Sequence, residues 1–277
     1  MRILISNDDG IHAEGITELR KTLEELAEIY VVAPDRERSA CGHKITMHRP
    51  LRVKEITYGP RSRGWSVDGT PADCVKLALE ALLPEPPDLV VSGINYGPNL
   101  GTDVLYSGTV SAAIEGSINS IPSIAVSLAS YEYRDFSHAC RLMKKLVQNS
   151  AKEIPPGTLL NINLPPGPPL GTRVTRLGNR RYVNVFDRRI DPRGRVYYWM
   201  AGEPLDIDQD DPGTDVGAVM EGFASITPIH FDLTDYKMMD QLNGLISKLE
   251  SFSDPAPDGV QKPPQVVPAD DSKRRQQ

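Results

Sequence analysis

The chain has 277 residues, of which 31 are basic and 37 acidic, and its net charge is −6. This length suits one large domain whose core needs no disulfides, and the acidic balance excludes the basic surface of a nucleic-acid-binding protein. The three cysteines are widely spaced, so we expect neither a disulfide framework nor a zinc site, but a reducing, cytoplasmic location. No apolar run reaches the roughly 18 residues that a membrane span needs.

Short apolar strands alternate with amphipathic helices over the first two thirds of the chain. Strands are predicted at 3–5, 29–33, 88–92, 124–128, 159–164 and 223–227, and peripheral antiparallel strands at 45–56 and 64–67. Helices are predicted after residue 10 and over 70–84, 109–119, 138–150 and 242–249. This alternation predicts an α/β fold of three layers, Rossmann-like, in which helices cover both faces of a mostly parallel sheet.

The pattern changes after residue 172. Strands predicted at 173–177, 182–189 and 195–200 surround a turn at 191–194, which indicates a projecting β-hairpin rich in aromatic residues. Exposed aromatics of this kind are typical of an oligomer interface. We therefore expect a single domain over 1–250 with 173–200 as its hairpin extension. Prolines and charges dominate 253–277, for which we expect a disordered tail.

Oxygen-bearing side chains follow three of the predicted strands. Asp8 and Asp9 come directly after the first strand, Ser39 lies in the loop after the second, and Asn95 follows the strand at 88–92. Ligands of open α/β sheets bind at the carboxyl ends of the strands. Two carboxylates, a hydroxyl and an amide suit one hard cation such as Mg²⁺ or Mn²⁺. Gly10 permits the irregular turn that would let adjacent acids face one ion.

Residues 106–113, YSGTVSAA, predict an anion site at the start of a helix. Ser107 and Thr109 carry hydroxyl donors, and the free backbone N–H groups of Gly108 and Thr109 point out of the helix N-terminus. Each motif also has a plainer interpretation: Asp-Asp-Gly as a turn that caps a helix, and Ser107 as an ordinary helix cap. A cation on one side and an anion site on the other together describe a site for a phosphate ester.

The chain resembles the SurE family of survival-protein nucleotidases in four segments. These are ILISNDDGIHAEGI, VVAPDRERSACGH, DLVVSGINYGPNLGTDVLYSGTVSAAIEG and SITPIHFDLTDY, which together span roughly residues 1–236. The resemblance implies a metal-dependent phosphatase that hydrolyses nucleoside monophosphates, with 5′ and often 3′ activity, and possible exopolyphosphatase activity. It also implies a Rossmann-like core, and a homodimer or homotetramer built through the hairpin and a swapped C-terminal segment.

The resemblance carries the site residues over one by one. It implies one divalent cation per subunit, held by Asp8, Asp9, Ser39 and Asn95, and it leaves open which aspartate handles the proton. We expect Asp8 and Asp9 to be catalytic and the phosphate to be bound by Asn95, Ser107, Gly108 and Thr109.

Two alternative functions remain open at this point. A nucleotide-binding regulatory module without turnover could use the same fold. A phosphatase with an aspartyl-phosphate intermediate on Asp8 would be expected to carry D-x-D rather than adjacent acids. In each case the partner would be a small molecule rather than a nucleic-acid polymer or a membrane.

Overall fold

A nine-stranded sheet forms the centre of the computed structural model, which describes residues 1–149 and 151–250. Its strands lie in the order β3-β4-β2-β1-β5-β6-β7-β13-β8, where the residue bounds are β1 Arg2–Ser6, β2 Glu28–Pro34, β3 Val53–Gly59, β4 Ser62–Val67, β5 Leu89–Tyr96, β6 Ser123–Leu128, β7 Leu159–Leu164, β8 Thr172–Val174 and β13 Ala224–Ile229. The six strands from β4 to β7 in this order are parallel. β3 and β13 run antiparallel to β4 and β7.

Helices cover both faces of the sheet, as the sequence predicts. Their bounds are α1 Glu14–Glu24, α2 Pro71–Leu77, α3 Gly108–Ile118, α4 Ser137–Asn149, α5 Asp215–Met220 and α6 Tyr236–Glu250. Ile3 and Ile5 of β1 share a buried cluster with residues of α1 and α4, whereas Leu4 between them belongs to a cluster with α2 and α3. Side chains alternate along a strand, so a strand buried on both sides must be apolar throughout.

The projecting ribbon begins and ends later in the chain than the hairpin predicted over 173–200. β10 (Phe186–Ile190) pairs with β11 (Val196–Met200), and β9 (Arg180–Val183) pairs with β12 (Glu203–Asp206) at the base of the same ribbon. β8, at the start of the predicted hairpin, pairs instead with β13 in the main sheet. The aromatic side chains of the ribbon are exposed, among them Phe186 and Trp199.

Residues 45–52 are not a strand, although the sequence predicts one from 45 to 56. The backbone N–H of Thr46 donates to Asp73 Oδ1 over 2.9 Å, and that of Arg52 donates to Asp68 Oδ1 over 2.8 Å. Carboxylates therefore satisfy these donors in place of a neighbouring strand. The helix predicted over 70–84 is α helix only to Leu77 and continues as a π turn over Ala78–Leu82.

Two helices differ from the predictions near the C-terminal end. α5 is absent from the helices predicted above; it begins at Asp215, where the Thr214 hydroxyl accepts a hydrogen bond from the Gly217 N–H as the N-cap. α6 begins at Tyr236, six residues before the predicted start at 242. The chain divides into two units, Met1–Phe231 and Asp232–Gln277, and α6 belongs to the second.

The predicted domain bounds of 1–250 stay a prediction, and the predicted tail over 253–277 lies outside the described residues. Among the helices of the described part, none is long and apolar enough to cross a membrane.

Candidate active site

The two adjacent acids leave the sheet at the end of β1, between β2 and β5. Asn7 is buried, and its amide donates to the Gly10 carbonyl over 2.9 Å. Gly10 has a φ of +100°, a conformation that side-chain-bearing residues rarely adopt. The Ile11 N–H then donates to the Pro34 carbonyl over 2.9 Å at the end of β2. The irregular turn that the sequence predicts at Gly10 is therefore present, and that it lets both acids face one ion stays a prediction.

Asp8 is held against the start of α3. Only 6% of its surface is exposed, and its Oδ1 accepts a hydrogen bond from the Thr109 hydroxyl. A Cβ added to Gly108 would lie 2.7 Å from Asp8 Cβ and 2.9 Å from Oδ2, so only glycine allows this approach. Burial raises the pKa of Asp8, and the hydrogen bonds from Thr109 and from the Gly108 backbone offset part of that effect.

Asp9 lies beside the end of β5 and is less buried. Its Oδ2 accepts a hydrogen bond from the Tyr96 backbone N–H over 3.1 Å. Burial, the charge of Asp8 and the charge of Glu37 raise its pKa to about 6. Within the described residues, no arginine, lysine or histidine forms an ion pair with either acid. The pair is therefore a buried negative site without a protein cation, an arrangement that costs free energy unless a positive group binds there.

The loop after β2, which carries Ser39, passes beside Asp8. The Arg38 N–H donates to the Asp8 carbonyl over 2.7 Å, so the residue before Ser39 touches the acid pair. The Ser39 hydroxyl donates to Glu37 Oε1 over 2.5 Å and is exposed. Its proton thus points to Glu37, and its oxygen lone pairs stay available to a cation. The sequence pattern does not single out Glu37 as a site residue, because it is one of several charged residues in DRERSACG.

Asn95 lies in β5, on the opposite side of β1 from β2 and the loop that follows it. The register of β5 against β6 shifts between Ser92 and Asn95, and the Gly93–Ile94 peptide bond is cis. The Asn95 amide nitrogen donates to the Gly97 carbonyl over 2.8 Å, which leaves Oδ1 as its acceptor atom. The following residue, Tyr96, binds Asp9 through its backbone. The backbone next to Asn95 therefore contacts Asp9, and the role of the Asn95 side chain as a metal and phosphate ligand stays a prediction.

The two hydroxyls at the start of α3 form hydrogen bonds within the protein. Ser107 Oγ accepts from the Val110 N–H over 3.0 Å as the N-cap, and its own proton remains free to donate. The Thr109 hydroxyl points at Asp8 and is fully buried. Thr109 therefore orients an acid through its side chain, and the backbone N–H groups of Thr109 and Gly108 also face Asp8, so their role as phosphate donors stays a prediction.

The donor set fits a hard divalent cation. It consists of two carboxylates without a protein cation, one hydroxyl oxygen and one amide oxygen, which are the ligand types of Mg²⁺ and Mn²⁺. No cluster of three or more His, Cys, Asp or Glu residues that could hold a metal ion occurs in the described part of the chain. The candidate site thus depends on Ser39, Asn95 and water in addition to Asp8 and Asp9.

Two other residues of the loop after β2, Cys41 and His43, lie against α3. His43 Nε2 lies 3.0 Å from Glu115 Oε2, and Lys76 Nζ lies 2.9 Å from Glu115 Oε1. The hydrogen bond from His43 is the largest influence that holds the pKa of the buried Glu115 below its usual range. Cys41 Sγ would lie 3.1 Å from a Cβ on Gly108, and burial together with Asp8 raises the pKa of its thiol.

Known proteins resemble this chain over most of its length. The profile of the family described as "Survival protein SurE" matches residues 3–184. The 5′-nucleotidase SurE of Pelotomaculum thermopropionicum is 73% identical over 248 residues, which cover 89% of this chain and 95% of that protein. The 5′-nucleotidase SurE of Desulforudis audaxviator is 61% identical over 247 residues, or 87% of this chain and 96% of that protein.

A solved structure supports the same family assignment. The crystal structure of the SurE protein from Aquifex aeolicus superposes with a TM-score of 0.77 at 42% identity, and it covers 89% of this chain and 100% of that one. Fold, motifs and sequence identity lead to the same family. The chain belongs to the SurE family.

Proposed function

We propose that this chain is a 5′-nucleotidase, a phosphoric monoester hydrolase that converts nucleoside monophosphates to nucleoside and phosphate. The names of its curated relatives support this function. The observation that carries it is the acid pair Asp8 and Asp9, for which the described residues provide no basic ion-pair partner. Asp8 lies against the start of α3 and Asp9 beside the end of β5. The regulatory module and the aspartyl-phosphate enzyme are not favoured, since the relatives are named as nucleotidases.

We assign different roles to the two aspartates, one in orientation and one in proton transfer. Asp8 is fixed by the Thr109 hydroxyl and by Gly108, so we assign it the orienting role. Asp9 is more exposed and lines an open cavity, so we assign it the transfer of the proton from the attacking water. The Ser107 hydroxyl and the N–H groups of Gly108 and Thr109 would bind the phosphate oxygens as negative charge moves toward the leaving group.

Asp8, Asp9, Ser39 and Asn95 would hold one Mg²⁺ or Mn²⁺ ion in each subunit. Such an ion supplies Lewis-acid polarisation of a phosphate oxygen and lowers the pKa of a bound water. We also propose 3′-nucleotidase activity, a cytoplasmic location and a homodimer or homotetramer. The exposed aromatics of the ribbon, such as Phe186 and Trp199, support the oligomer.

Phosphate release from 5′- and 3′-mononucleotides, measured with Mn²⁺, with Mg²⁺ and with EDTA, tests this proposal. We expect release from 5′-mononucleotides to stop with EDTA and to return with the added cation. Asp8→Asn and Asp9→Asn should each lower kcat at least about 100-fold, because each removes a charged ligand. Asp210→Asn, at an exposed aspartate, is the matched control. Release that persists in EDTA or in Asp8→Asn would refute the proposal.

A further inference from the structure

A cavity of about 240 Å³ opens beside Asp9, on the side away from α3. Its wall is formed by residues from the start of α1, the loop after β2, the end of β5 and the segment before α4: Asp9, Ala13, Glu14, Gly15, Glu37, Tyr96, Arg134 and Phe136. Ser107, Gly108 and Thr109 do not line it, so the predicted phosphate donors and this cavity flank the acid pair from different directions. A substrate longer than its phosphate would extend into such a space.

Tyr96 connects the cavity to the acid pair. Its backbone N–H donates to Asp9 Oδ2 over 3.1 Å, and its hydroxyl donates to the Tyr131 carbonyl. The ring is therefore held at both ends. The Arg134 guanidinium lies 4.5 Å from the centroid of that ring, a cation–π contact. A planar guanidinium on a fixed aromatic ring is a suitable platform on which a nucleobase can stack.

The charges around the cavity select against a second phosphate. Asp9, Glu14 and Glu37 contribute three carboxylates, and Arg134 is the single basic residue of the wall. Arg134 forms no ion pair with a described residue, and its guanidinium hydrogen-bonds to Tyr96, which fixes the guanidinium over the ring and leaves its other donors for a ligand. Carboxylates accept hydrogen bonds from sugar hydroxyls but repel phosphate oxygens. The buried Phe136 adds an apolar surface to the wall.

We propose that this cavity binds the nucleoside half of the substrate, with a purine base stacked on the Arg134–Tyr96 pair and the ribose hydroxyls donating to Glu14 or Glu37. The proposal rests on the proposed function and adds a substrate preference to it. A purine offers a larger face for stacking than a pyrimidine. The chain should therefore favour purine mononucleotides over pyrimidine mononucleotides, and both over inorganic polyphosphate.

The first test compares a substrate that has a nucleoside with one that has none. kcat/KM is measured for AMP and for glycerol 2-phosphate in the wild type, Arg134→Ala and Tyr96→Leu, with Arg193→Ala as a control at an exposed arginine of the ribbon turn. We expect the ratio of the two values to fall about tenfold in both cavity variants and to stay at the wild-type value in Arg193→Ala. Equal losses for the two substrates would overturn the proposal.

Binding of adenosine, measured by calorimetry, separates the cavity from the reaction. Adenosine has no phosphate, so it tests the nucleoside site even in a protein without turnover. Its dissociation constant should rise about tenfold in Arg134→Ala. If the wild type binds adenosine but hydrolyses neither ester, the proposed function fails and the cavity assignment stands. If adenosine does not bind the wild type, or binds Arg134→Ala equally well, the cavity assignment fails.

Inorganic tripolyphosphate tests the role of the carboxylates. Glu37→Gln removes one negative charge from the wall and should raise kcat/KM for tripolyphosphate relative to AMP about fivefold. A ratio that does not change would contradict the argument from charge.

Discussion

Replacing Asp9 by asparagine should stabilise the cation-free protein at neutral pH while it destroys activity. The pKa of Asp9 is raised from 3.8 to about 6, first by burial and then by Asp8 and Glu37. The asparagine side chain would keep an oxygen for the Tyr96 N–H and would carry no charge. Between pH 3.8 and about 6 the folded state binds more protons than the unfolded state, so the free energy of unfolding falls as the pH rises through this window.

The expected gain follows from the pKa difference. The step from 3.8 to about 6 corresponds to at most about 3 kcal/mol of stability lost above pH 6. Asp9 is partly open to solvent, which screens its interactions, so we expect a gain of about 1–2 kcal/mol from Asp9→Asn at pH 7.5. At pH 3.5 the carboxyl is mostly protonated in both states, and the variant and the wild type should be nearly equal in stability.

Urea denaturation in EDTA, at one protein concentration and at pH 3.5, 5 and 7.5, measures this difference. The same series with excess Mn²⁺ should reverse the order, because the wild type gains the binding free energy of the ion and the variant loses most of it. At 100 times its dissociation constant the ion adds about 2.7 kcal/mol. A variant that is less stable than the wild type in EDTA at pH 7.5 would refute the reasoning about the unpaired acids.

Three further predictions concern residues around the site. Gly108→Ala would place a methyl group 2.7 Å from Asp8 Cβ, and it should lower kcat at least about 100-fold, whereas Gly194→Ala in the open ribbon turn should leave kcat unchanged. Arg180→Met removes the buried partner of Asp103 and Asp206, at 2.8 and 2.7 Å, and should lower the free energy of unfolding by about 3 kcal/mol. As a control, Arg189→Met removes the exposed partner of Asp187 and should change the free energy of unfolding by less than about 1 kcal/mol. Equal effects of the two substitutions in urea denaturation would contradict the role of burial. Glu115→Gln should flatten the acid limb of the stability curve, because the lowered pKa of Glu115 gives stability that is present at neutral pH and lost as the pH falls; an unchanged pH dependence would exclude this role.

The fold and the position of the site were predictable because both depend on local pattern. Apolar runs of about four to six residues, each followed by polar residues, mark the parallel strands, and strands of this kind meet at one edge of the sheet. That rule alone predicts that Asp8, Asp9 and Asn95 lie near one another. Gly10 was predictable for the same reason, since only the strand end lets neighbouring acids face the same way.

Other features depend on partners distant in the sequence. The segment 45–52 has the composition of a strand, but its donors bind Asp68 and Asp73, which no local pattern reveals. The Thr109 hydroxyl was expected to face phosphate, whereas it faces Asp8 across 101 residues of chain. Arg134 carries no motif at all, and only its position over Tyr96 marks it as a candidate substrate contact.

The attachment of the acids to the end of β1 has a consequence for how the enzyme is inactivated. β1 has three strands on one side and five on the other, so it cannot detach by fraying from an edge. Its amide protons should exchange with solvent only through global unfolding, at rates that report the full stability of the domain. Heat should therefore abolish catalysis and the central sheet in one transition.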